Sequence, residues 1–144
     1  MKRAHRKSTD GNAALELALT FMLLWMLLGG AFRLGYAMYV YESLVSAVAG
    51  AARYGARVDF DTGHAFASAV KNMAVYGSPT GGTAELAPGL TTANINVTWT
   101  TDAKGTPQTM TVSVTNYKVN AVFQNFTWTG KPSLTVRYAG RYIT

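Results

Sequence analysis

Three residues near the amino terminus are spaced for one piece of chemistry: Gly11 is followed by Asn12, and Glu16 stands four positions further on. Cutting the Gly11–Asn12 peptide bond creates a positive α-amine on Asn12. On a helix, a side chain four residues along lies one turn away on the same face, so the Glu16 carboxylate comes within reach of that amine. The same cut removes Lys2, Arg3, Arg6 and Lys7, four of the chain's thirteen cations. The alternative on these residues alone is an uncut chain in which Glu16 snorkels toward lipid headgroups, where a negative charge also suits the positive end of a helix.

The remaining polar residues offer little else. Cysteine is absent, which excludes a disulfide framework, a thiolate metal site and a thiol nucleophile. His5 and His64 are the two histidines, too few for a histidine-based metal cluster. Asp59 and Asp61 lack the further oxygen ligands of a calcium loop and suit the capping of a following helix. No serine stands in a strand-turn-helix elbow of the G-x-S-x-G kind. The Asn96-Val97-Thr98 and Asn125-Phe126-Thr127 triplets match the glycosylation pattern, which threonine-rich strands also generate by chance. No enzymatic activity, cofactor, metal or small-molecule substrate is expected. The net charge is +6, but beyond residue 11 it falls to nine cations against six acids. These are scattered without a basic stripe, so nucleic acid is not an expected partner.

The element that positions Glu16 is apolar. Leu17 to Phe32 carries no charge, and Ala13, Ala14 and Leu15 extend it to the length of about 20 residues that crosses the hydrocarbon core as a helix. The lipid bilayer is therefore an expected partner, with the basic leader on the cytoplasmic side. A plain secretion signal needs a small-residue cleavage site after the apolar run. Gly29-Gly30-Ala31 is a poor substitute, and a cut there would interrupt a helical pattern running on through Leu34, Met38, Tyr41, Val45, Val48, Ala52 and Gly55. That stripe predicts one helix over about 12–57: a membrane span at 12–33 and an amphipathic continuation at 34–57. Ser43, Ala47, Gly50 and Tyr54 form a neighbouring face, largely of small side chains, on which a sheet or another subunit can approach closely. Trp25, Tyr36, Tyr39 and Tyr41 supply either an interfacial aromatic belt or part of a helix–sheet core.

The basic leader, Gly11, Glu16 as the fifth residue after the cut and the apolar helix together resemble the class III signal of type IV pilins and pseudopilins. The whole stretch from Gly11 to Arg57 is similar to the TadE-like family of the tight-adherence (Tad) pilus system, through GNAALELALTFMLL, GGAFRLGYAMYVYESL and AVAGAARYGAR. Leu17 and Arg33 depart from the usual pattern, which more often has an aromatic residue and an acid there. The resemblance implies a minor pilin or pseudopilin cut by a prepilin peptidase after a leader of residues 1–11. It further implies a bacterial inner-membrane protein with a periplasmic carboxy-terminal domain, working with other pilin or pseudopilin subunits and inner-membrane assembly machinery in adherence and biofilm formation. A type II secretion pseudopilin or an ordinary type IV minor pilin is the nearest alternative; a tethered or secreted binding module is the alternative of another class.

Residues 58–144 have room for one small domain. Phe66, Val70, Met73 and Ala74 predict a second helix near 64–76, stopped by Gly77 and Pro79. Residues 77–92, rich in Gly, Pro and Thr, read as a loop. Ile95, Val97 and Trp99 alternate with polar residues, as do Met110, Val112 and Val114, so strands near 94–101 and 108–116 pair as a hairpin. Leu134, Val136, Tyr138 and Tyr142 predict a last antiparallel strand near 133–143, and VNAVFQNFTW reads as an apolar connector with room for a short strand. The expected fold class is α+β, pilin-like: a long amino-terminal helix on a small antiparallel sheet of three to four strands.

Overall fold

The computed structural model describes residues 10–61, 65–103, 105, 107–121 and 124–140. The leader cations, His5, Thr62, His64, Val122, Phe123, Arg141 and Tyr142, on which parts of the sequence reading fall, lie outside them. The fold is α+β. Helix α1 spans Asp10–Gly55 and α2 spans Ala65–Tyr76, followed by a 3-10 turn at Thr92–Asn94. Five strands follow: β1 (Ile95–Thr101), β2 (Pro107–Val114), β3 (Tyr117–Ala121), β4 (Gln124–Trp128) and β5 (Ser133–Arg137). The chain divides into two units at Tyr36/Ala37.

In the first unit the described residues are all helical. Leu, Phe, Met and Trp side chains point out on every side, and Leu17, Phe21, Trp25 and Phe32 are each more than 60% exposed. A helix that is apolar all round suits an apolar solvent. α1 is long and apolar enough to cross a membrane, and its most apolar stretch buries nothing against the protein. Phe21 and Trp25 stack with centroids 6.2 Å apart, the neighbour relation that i, i+4 spacing provides.

In the second unit, the carboxy-terminal part of α1 supplies one wall of the core. Val40, Leu44, Ala47, Val48, Ala51 and Ala52 are buried. Of the apolar row along this helix, Val48, Ala52 and Gly55 are buried, whereas Leu34, Met38, Tyr41 and Val45 are exposed. Gly55 closes the wall where three elements meet. A Cβ built there would lie 2.6 Å from Met110 Cε on β2 and 2.8 Å from Val70 Cγ2 on α2.

The main sheet has strand order β1-β2-β5, antiparallel throughout. Alternation gives it one apolar face, with Met110, Val112 and Val114 of the central strand buried. Their partners on the edge strands include Trp99, Val97 and Ile95 on β1 and Val136 and Leu134 on β5. The other face is hydroxyl-rich: Thr100 Oγ1 and Thr109 Oγ1 lie 2.6 Å apart, and Thr111 Oγ1 and Thr135 Oγ1 2.7 Å. β3 and β4 form a separate antiparallel pair, where the sequence reading left a connector. Asn94 holds the sheet to the preceding turn. Its Oδ1 accepts from the Thr91 hydroxyl (2.7 Å), and its Nδ2 donates to the carbonyls of Thr115 and Asn116 (3.2 Å each).

Phe60, Phe66, Trp99 and Tyr138 make an aromatic cluster with centroid separations from 5.0 to 6.4 Å, most of them edge-to-face, the arrangement ring quadrupoles favour. Tyr138 donates its hydroxyl to the Val58 carbonyl at 2.9 Å. Burial among the rings raises the Tyr138 pKa, opposed by the backbone hydrogen bond at Phe60 and reinforced by the Asp59 charge.

Candidate functional site on the long helix

Gly11, Asn12 and Glu16 all lie on α1 and are exposed, and the Gly11–Asn12 bond falls within the described part of that helix, which opens at Asp10. A Cβ at Gly11 would meet nothing within 4 Å. The helix therefore tolerates a side chain at that position, and any need for glycine comes from something outside the chain.

Glu16 sits one turn beyond Asn12, at the border of the uncharged run. Its backbone carbonyl accepts from Thr20 Oγ1 at 2.8 Å, so the threonine hydroxyl is satisfied within the helix. The carboxylate is exposed. At mid-membrane an ionised carboxylate on a helix is unfavourable by about 2.5–3.5 kcal/mol, and an amine one turn away is the compensation that Gly11–Asn12 cleavage would supply.

The four residues expected to admit a close neighbour are placed differently from one another. Ala47 is part of the buried wall. Ser43 returns its hydroxyl to the Tyr39 carbonyl at 3.0 Å and, with Ala47 and Leu86, borders a shallow groove. Gly50 has open space where a Cβ would stand and lines a second, larger groove; Tyr54 is half-exposed. That larger groove was not anticipated. Met38, Tyr41 and Val45 line it together with Trp128 of β4, with Glu42 and Arg53 also on its walls. Tyr41 and Trp128 meet edge-on at 5.5 Å, and Trp128 stacks on Tyr117 at 6.2 Å. Its signal in the sequence was the Met38-Tyr41-Val45 part of the apolar row. Among the described residues, no group of three or more His, Cys, Asp or Glu side chains is placed to hold a metal ion.

Residues 11–53 match the family model described as TadE-like protein. The match starts at Gly11 and takes in Glu16, the apolar run and the aromatic-rich stretch beyond it, the same segment that carries the resemblance. Neither the curated proteins nor the solved structures give a match.

Proposed function

We propose, from the TadE-like segment at residues 11–53, that this protein is a minor pilin or pseudopilin of a Tad pilus system. It is anchored in the bacterial inner membrane by α1, with its second unit in the periplasm. A prepilin peptidase cuts between Gly11 and Asn12, and the subunit then works with other pilins and the assembly machinery in adherence and biofilm formation. The observation that carries the reading is the coincidence, inside one matched segment, of a glycine with no structural need to be glycine, a carboxylate one turn beyond it and an uncharged helix of membrane-spanning length.

In this reading, the absence of a side chain at Gly11 lets the scissile bond enter the peptidase. The new Asn12 amine neutralises Glu16, of its own chain or of a neighbour, so that the helix end can sit in lipid. Gly11→Val is expected to leave a membrane-bound chain that retains its leader, because a valine there meets nothing in the fold. Glu16→Ala is expected to permit cutting but to lower pilus assembly. Immunoblots of membranes and counts of surface pili in a strain carrying each variant check both; wild-type pilus numbers from the two variants would contradict the proposal.

A further inference from the structure

The charges along α1 measure out a bilayer. With Glu16 at one border of the hydrocarbon, the twenty residues that follow it end at Tyr36 and, at about 1.5 Å each, fill its roughly 30 Å. Arg33 is the single charge between Glu16 and Glu42. It then lies about 4.5 Å inside the far border, a depth from which an arginine head snorkels out. The headgroup layer beyond that border, about 5–7 Å thick, takes the next four or five residues, up to Tyr41. In that stretch Met38, Tyr39 and Tyr41 are exposed by 59, 62 and 40%.

Two side chains from elsewhere in the second unit join them. Trp128 of β4 meets Tyr41 edge-on at 5.5 Å and lines the larger groove. Leu86, 49% exposed, borders the shallow groove with Tyr39, and the two grooves adjoin through Glu42 and Ser46. Leu86 and Trp128 are forty-two residues apart, yet one series of contacts fixes both. Trp128 stacks on Tyr117, and the Tyr117 hydroxyl donates to the Pro88 carbonyl at 2.5 Å. Two residues before Pro88, the Leu86 N–H donates to the Val75 carbonyl of α2 at 2.7 Å. Facing water, such a set is an exposed apolar patch that marks an interaction surface. Facing headgroups, the Tyr and Trp rings bury an apolar body and keep a polar tip wet, which is why both residues collect at that level.

We propose that Met38, Tyr39, Tyr41, Leu86 and Trp128 seat the second unit in the headgroup layer of the bilayer that α1 spans, so that lipid covers the end of both grooves near Met38 and Tyr39. The inference rests on the membrane-anchored reading and deepens it: the folded unit touches lipid itself, through a loop and a strand far from the span in sequence.

The chain has no cysteine, so one engineered thiol carries one fluorophore. Full-length Leu86→Cys, labelled and reconstituted in vesicles of phosphatidylethanolamine and phosphatidylglycerol containing a lipid with a nitroxide on its headgroup, is expected to lose most of its fluorescence. Thr98→Cys is the control. Thr98 is exposed and precedes Trp99, whose partner Met110 lies against Gly55. Gly55 is fourteen residues from Tyr41, about 21 Å along the helix, so the label on Thr98→Cys is expected to stay bright. A second measurement reads Trp128 directly. With Trp25→Phe and Trp99→Phe it is the last of the chain's three tryptophans, and the same lipid is expected to quench it. Equal quenching of the two labels, or Trp128 emission indifferent to the nitroxide, would overturn the seat. A label on Leu24→Cys, in the uncharged run, separates two failures. If an acyl-chain nitroxide quenches it while the Leu86→Cys label stays bright, the seat alone falls; if no lipid nitroxide quenches it, the anchored reading falls as well.

Discussion

Tyr138 shows how one side chain reports on a core. Its ring packs against Phe60 and Phe66, and its hydroxyl donates to the Val58 carbonyl. Burial holds its pKa above that of an ordinary phenol. The folded value is higher than the unfolded one, so the stabilisation is fully present below the ordinary phenol range, near pH 10, and is lost as pH rises through the raised folded value. Thermal unfolding of the detergent-solubilised full chain should therefore show a midpoint that falls in the alkaline range. In Tyr138→Phe that fall should be shallower, with a loss of about 1 kcal/mol at neutral pH for the missing hydrogen bond; equal alkaline slopes in the two proteins would show that this phenol is not the group responsible. At the same scale, Gly11 and Glu16 stand out in the sequence because the proposed role is a matter of chemistry at fixed spacing. Asn94 was not. Its amide joins Thr91 to Thr115 and Asn116, and a partner twenty-one residues away leaves no local mark.

At the scale of elements, α1 and the main sheet were legible because each has one dominant period. Ile95, Val97 and Trp99 face the same way by alternation, as do Met110, Val112 and Val114, and the register pairs them directly. Which face of α1 turns inward was not legible, since the helix is apolar on more than one side. The β3–β4 pair was hidden for another reason. Its strands, Tyr117–Ala121 and Gln124–Trp128, lie in a stretch whose apolar residues keep neither the helical nor the alternating period cleanly. The packing of α1, α2 and β2 around Gly55 makes a sharp test. Gly55→Ala should destabilise the protein by about 1–3 kcal/mol through overpacking against Met110 and Val70. Gly50→Ala, in open space on the same helix, should be neutral or stabilising by up to about 1 kcal/mol. Urea unfolding of both variants checks the contrast, and an equal effect would mean that helix propensity, rather than the closeness of three elements, governs both positions.

Over the whole molecule, one helix serves two solvents. Up to Tyr36 its large apolar side chains stand exposed on all sides; from Val40 onward one face is buried in an α+β unit whose sheet turns threonines outward. A carboxylate at the start of the uncharged stretch is the misfit in this division, and in the proposed function a new amine at Asn12 resolves it. The most direct measurement is the intact mass of the protein purified from native membranes, with its amino-terminal sequence. The account predicts a chain that has lost residues 1–11, begins at Asn12 and keeps the apolar span. A chain that still begins at Met1, or one that begins beyond Phe32, would contradict it.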